Sequence, residues 1–204
     1  MITKLLPALL LLTSFAAAKN IEPVSTEKAD KIARLVTNAL GSPSDAPFAV
    51  DPDVTKPMGI KADGETGLVA VPDKKLTVEV LAAAGKDITP VGHVWMRNVV
   101  PVVNNGAPDP ANLRTVGVSD GDKEVKVEVY YLGVAKTDAG ALELGLYAKG
   151  KEPLVKVPFV KTDAAASPTP IALDGRKEGE NRGVLVITIF GSYKADVTVT
   201  KPRE

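Results

Sequence analysis

The sequence predicts a mainly β fold, an antiparallel β-sandwich or open barrel, with an N-terminal amphipathic helix laid against it and one further short helix. Three observations lead there. From about Pro90 onward, apolar and polar residues alternate with the period of half-buried strands. Short polar turns separate those runs at close intervals, as in sandwiches and barrels. Ahead of them lies one segment whose apolar residues recur at helical spacing.

That segment follows a short tether. Ser25 or Thr26 can cap a helix, because a hydroxyl oxygen accepts from the free amides of the first turn. Glu27 and Asp30 suit its positive end. Ile32, Leu35, Val36, Ala39 and Leu40 make one apolar stripe. Gly41 fits a left-handed stop, and Pro43 opposes continuation. Residues 42–66 read as loop, with Phe48-Ala49-Val50 as a short edge strand. Residues 67–71 form a strand ending at Pro72. Residues 74–86 carry a strand-like alternation of Leu76, Val78 and Val80. A short helix is preferred there, because Thr77 can cap it while Leu76 and Leu81 close a hydrophobic staple.

Val91 to Val103 is a long apolar segment broken by Pro101, followed by a polar loop from Asn104 to about Asn112. Leu113–Val118 is a strand, and Ser119-Asp120-Gly121-Asp122 a turn. Val125, Val127, Val129 and Tyr131 then alternate with polar neighbours, as do Leu142, Leu144 and Leu146 after the next turn. Val155, Val157 and Phe159 form another strand, and Pro158 marks it as an edge. Residues 161–170 are loop, Ile171–Leu173 a short strand, and Asp174–Gly183 a charged loop. Val184–Phe190 is almost wholly apolar and is expected in the centre of a sheet, buried on both faces. Gly191 marks a bend, and Ala195, Val197 and Val199 alternate once more.

Residues 1–18 have the order of a secretory signal. Lys4 is followed by a leucine-rich run ending near Leu12, and Ala16-Ala17-Ala18 offers the small residues of a cleavage site. The run is shorter than the roughly 20 residues of a spanning helix. The expected organisation is a signal peptide (1–18), a tether and amphipathic helix (19–43) and a β-rich domain (44–204). The expected location is secreted or periplasmic, with cleavage after Ala18. Removing the signal takes away only Lys4 among 25 cations, which 25 carboxylates balance. Nucleic-acid binding normally shows a basic excess, so no nucleic-acid partner is expected. Cysteine is absent, which excludes thiol catalysis, disulfides and cysteine-ligated metal.

Chemistry has few places to reside. His93 is the only histidine. On a strand, His93, Trp95 and Arg97 share one face, where an indole plane, a planar cation and an imidazole could cradle a sugar or an anion. The competing reading puts Trp95 in the core beneath the N-terminal helix, with His93 hydrogen-bonded nearby. No serine sits in a nucleophile elbow, and a zinc site needs several His or Cys ligands. Asp120, Asp122 and Glu124, and the pair Asp51 and Asp53, offer carboxylates, read first as solvated turns rather than calcium ligands. Tyr130, Tyr147 and Tyr193 read as an exposed cluster or as cross-strand pairs. No Gly-rich loop precedes a helix, so no cofactor is expected, and no catalytic or metal residues are assigned. The leading expectation is an exported, non-enzymatic module that meets an unknown protein or envelope component, without a membrane span after signal removal. A small-ligand or carbohydrate-binding module using His93, Trp95 and Arg97 is the alternative, and a carboxylate-based hydrolase the second.

Overall fold

A computed structural model describes residues 21–62, 65–120 and 123–203. The signal segment 1–18 and part of the turn after Ser119 lie outside them. Along the chain come β1 (Glu22–Pro23), α1 (Thr26–Leu40), β2 (Met58–Lys61), β3 (Gly67–Pro72) and α2 (Val78–Ala82). Then follow β4 (Thr89–Arg97), β5 (Val100–Pro101), β6 (Thr115–Asp120), β7 (Lys123–Lys136), β8 (Leu142–Tyr147) and β9 (Val155–Pro158). The last are β10 (Val160–Lys161), β11 (Ile171–Lys177), β12 (Arg182–Ile189) and β13 (Tyr193–Thr200). Two antiparallel sheets result. The larger runs β1-β2-β3-β4-β7-β8-β9, with β6 on β7; the smaller runs β10-β13-β12-β11, with β5 on β13. They pack face to face as a β-sandwich, and α1 covers the outer face of the larger sheet.

The helix ends as its sequence requires: Gly41 takes φ 59°, and its amide donates to the Thr37 carbonyl at 3.0 Å. Its start differs, because Ser25 occupies the capping position without a side-chain hydrogen bond. The buried stripe differs too. Ala29, Ala33 and Val36 are buried, Ile32, Leu35 and Leu40 only half-buried, and Ala39 exposed. The small residues let the helix approach the sheet, and the larger ones flank that contact. In α2, Thr77 Oγ1 accepts from the Val80 amide at 3.2 Å, and the staple residues Leu76 and Leu81 are both buried. Thr77→Ala should cost about 1 kcal/mol, read as a lower urea midpoint at unchanged slope; an unaltered midpoint would remove the cap from this account.

Phe48-Ala49-Val50 is not a strand. The strand of that region is β2, inside the stretch expected as loop. It pairs with β3 from Met58↔Ala70 to Lys61↔Gly67. Similarly, β11 continues through Lys177, paired with β12 as far as Lys177↔Gly183. Most of the expected charged loop is therefore a hairpin whose polar side chains point outward. β12 is interior to its sheet, but its far face is only partly covered. Leu185, Ile187 and Ile189 are buried on one face, while on the other Val184 is buried and Val186 and Thr188 are half-buried. Pro158 ends β9, the edge of the larger sheet, and Phe159 carries the chain into the smaller one.

The larger sheet separates two cores. Val94 and Met96 of β4, and Tyr130, Leu132 and Val134 of β7, face the sandwich. Trp95 of β4, and Val127, Val129 and Tyr131 of β7, face α1. The tyrosines are not an exposed cluster. Tyr130, Tyr147 and Tyr193 are all buried, the first and last in the sandwich core and Tyr147 on the helix side. Tyr147 is the cross-strand partner of Tyr131.

Candidate functional site

β4 sets the site. A bulge between Pro90 and Gly92, opposite β7, resets its alternation. Val91 therefore joins the sandwich core, while His93, Trp95 and Arg97 beyond the bulge share the helix-side face. They lie at three depths. His93 is 3% exposed, Trp95 1%, and the Arg97 side chain 32%.

The His93 ring meets Tyr131 edge-on, centroids 4.4 Å apart, and is 6.3 Å from Trp95. Neither imidazole nitrogen has a hydrogen-bond partner, so the hydrogen-bonded histidine of the sequence reading is not found. Burial, reinforced by the Arg114 guanidinium, depresses its pKa to about 3. A neutral, enclosed, unpartnered imidazole is poorly placed for acid–base work, which needs reach to a reacting proton. Trp95 fills the space beneath Ala33 and Val36, and its Nε1 is likewise unpartnered. Arg97 sits at the rim in an ion pair with Glu65.

Above Trp95, α1 closes down on the sheet through Ala33 and Val36. It packs against β6 on one side and β2 and β3 on the other, and an open groove of about 700 Å³ runs along this contact. Trp95 and Val69 border it from beneath the helix, both closed from solvent. Ile32 and Leu35 come from the helix, and Val118 and Val125 from the β6–β7 hairpin. Lys28, Lys31, Lys61 and Arg97 line it with Glu27 and Glu65. Trp95 and Arg97 of the expected constellation thus meet in one concavity, while His93 is not among its lining residues.

The residue that sequence reasoning missed is Arg114. β6 and β8 share one edge of β7, end to end, and Arg114 lies where they meet. Its Nε donates to the Ala148 carbonyl at 3.2 Å. Its two terminal nitrogens donate to Asp45, to Oδ1 at 3.0 Å and to the carbonyl at 3.1 Å. The guanidinium carbon stands 5.7 Å from the Tyr131 ring centre, within cation–π range. The hydrogen bond from Arg114 holds the Asp45 carboxyl below its ordinary pKa. This pins the loop after α1 onto the sheet beside His93. A signal was present in the sequence: Arg114 alternates with Val116 and Val118 and so occupies an inward strand position.

Asp51 and Asp53, with Asp73 beside them, are engaged structurally. Asp73 accepts from the amides of Asp51 at 2.8 Å and Lys75 at 2.7 Å. Asp51 pairs with Lys74 at 2.8 Å, and Asp53 accepts from the Thr55 hydroxyl at 2.6 Å. Asp122 lies outside the described residues. Among the described residues no three His, Cys, Asp or Glu converge as a metal site, and no helix is long and apolar enough to cross a membrane. Comparison of the chain with known protein families, with characterised proteins and with solved structures finds no match.

Proposed function

We propose that this is an exported, non-enzymatic binding domain whose ligand occupies the groove between α1 and the larger sheet. One observation carries the reading: the helix buries Ala29, Ala33 and Val36 and leaves Ile32 and Leu35 half-buried beside about 700 Å³ of open space. Sites of roughly 300–1,000 Å³ with mostly apolar walls and a few placed polar groups are the common form of small-molecule pocket. The same geometry favours the ligand-binding use of Trp95 and Arg97 over a docking role spread across the sandwich. His93 then supports the site from below rather than touching the ligand. The carboxylates around Asp73 are held by amides and lysines, which favours a non-enzymatic reading over a hydrolase.

The sole tryptophan makes the groove directly observable. An environment-sensitive apolar fluorophore should bind saturably, one per chain, with energy transfer from Trp95. Leu35→Lys, checked for native circular dichroism, should weaken that binding at least tenfold. No transfer in the wild type, or equal binding by the variant, removes the groove from the proposal. Export is tested by intact mass of the product expressed with residues 1–18. Loss of those residues supports it, and a retained N-terminus in the soluble fraction overturns it.

A further inference from the structure

We propose that the chain forms a two-fold dimer through the outer edge of β6, the β6 strands of two copies pairing antiparallel into one continuous sheet. β6 is paired with β7 along one edge only. The Val129 amide donates to the Arg114 carbonyl at 2.8 Å. Backbone groups alternate in direction along an antiparallel strand, so those of Val116 and Val118 face β7 and those of Thr115, Gly117 and Ser119 face outward. Among the described residues nothing pairs with these outward groups, and all three residues are exposed. Unpaired edges invite a further strand, and folds blunt them by shortness, proline, charge or cover. β1, β5 and β10 are two residues each. β9 carries Lys156 and Pro158. β11 carries Asp174, Arg176 and Lys177 and packs against β2 and β3. Thr115 to Ser119 contains neither proline nor charge.

The edge is complementary to itself. Thr115-Val116-Gly117-Val118-Ser119 reads nearly the same in both directions about Gly117. A two-fold axis at Gly117 sets Thr115 opposite Ser119 of the second copy and Val116 opposite its Val118, as an isologous interface requires. The outward-facing residues then meet one another, Thr115 with Ser119, Gly117 with itself and Ser119 with Thr115. At two backbone bonds for each such pair this makes about six. Val116 and Val118 lie on the helix side and are half-buried in one copy. Each gains a valine of the other copy at the close spacing of a non-hydrogen-bonded pair. On the opposite face, the Thr115 and Ser119 hydroxyls come together as cross-strand neighbours. Gly117 brings no side chain against its own copy at the axis. Centring the pair elsewhere leaves more of the strand unpaired, and an edge built for a foreign strand has no need of this symmetry.

Sedimentation velocity of the full chain, produced with residues 1–18 in its gene, tests this. At concentrations up to about 100 μM, where micromolar interfaces saturate, the wild type should reach twice the mass of one chain. Thr115→Lys with Ser119→Lys sets like charges opposite each other at both ends of the pair and should weaken dimerisation about tenfold. Thr115→Lys with Ser119→Glu sets opposite charges there and should keep dimerisation within about threefold of wild type. Gly117→Pro should leave only monomer, because it removes the amide donated at the axis, which the β6–β7 ladder does not use. Circular dichroism checks that each variant is folded. A monomeric wild type overturns the proposal. So does a dimer that survives Thr115→Lys with Ser119→Lys, or one that the two double substitutions weaken alike.

Discussion

Replacing Gly92 with alanine is expected to destabilise the protein by about 3 kcal/mol or more. Gly92 lies opposite Pro72 of β3 and Leu132 of β7, next to the bulge that sets the faces of β4. A Cβ there would stand 2.2 Å from the Val71 carbonyl oxygen, 2.8 Å from Pro72 Cα and 3.0 Å from the Asp73 nitrogen. All three are backbone atoms, of β3 and of the residue that follows it, and none can rotate away. The φ of +147° adds strain that only glycine avoids. Relief would require β3 and β4 to part where the Asp73 amide donates to the Val91 carbonyl at 2.8 Å. Gly133→Ala makes a graded comparison. Its Cβ would meet side-chain ends, Ile88 Cγ2 at 2.6 Å and Phe48 Cζ at 3.0 Å, which can yield. Gly85→Ala meets nothing within 4 Å. Urea midpoints should fall in the order Gly85→Ala, Gly133→Ala, Gly92→Ala. A Gly92→Ala protein as stable as Gly85→Ala would show that the strands are not held this close.

Acid should weaken the fold through His93 before it does so through the carboxylates. Burial, with Arg114 nearby, puts the folded imidazole at about 3, against 6.5 for the ordinary group. Between those values the unfolded chain binds one proton more than the folded one. Stability is therefore complete above pH 6.5 and declines as pH falls through that value toward 3. The slope approaches about 1.4 kcal/mol per pH unit. Asp45, Asp53 and Asp196 have lowered pKa values, so they add their loss only below the ordinary carboxylate range near 3.8. Glu128, raised by burial, works in the opposite sense. Wild type minus His93→Leu cancels these shared contributions. That difference should change by about 2 kcal/mol between pH 6.5 and 4.5. At pH 7.5 the two should lie within about 1.5 kcal/mol, because leucine strands no hydrogen-bond partner. Parallel urea-midpoint curves down to pH 4.5 would mean that His93 reaches solvent or a partner in solution.

Elements written in local chemistry were legible. Val125 to Tyr131 and Ala195 to Val199 alternate because each strand sets one face against a core, and that period survives in the sequence. Gly41 and the Leu76, Thr77 and Leu81 set are stop and start signals that act within a turn or two. β2 lacked such a signal. Met58-Gly59-Ile60-Lys61 is short and follows a proline, and it becomes a strand because β3 offers it a ladder. β11 continued past Leu173 for the same reason, with β12 supplying the partners of Asp174 to Lys177. Phe48 was misassigned because its ring is drawn into a cluster with Tyr131 and Tyr147, 5.8 and 5.1 Å away between centroids, that needs no strand beneath it.

By itself the sequence determined a mainly β chain, its two helices, and that His93, Trp95 and Arg97 share one face of β4. Chirality and pleat make those properties local. Tertiary structure alone decided how deep each of the three lies, because depth depends on what covers a strand. His93 is closed in beside Tyr131 and Trp95, and Arg114 ties the loop after α1 to the same face of the sheet through Asp45. The close contact of Ala29 and Ala33 places α1 over Trp95 and leaves Ile32 and Leu35 at the groove, and Arg97 remains at its rim. Those covering segments lie tens of residues from β4, and packing across such distances leaves no periodic trace in the strand it covers.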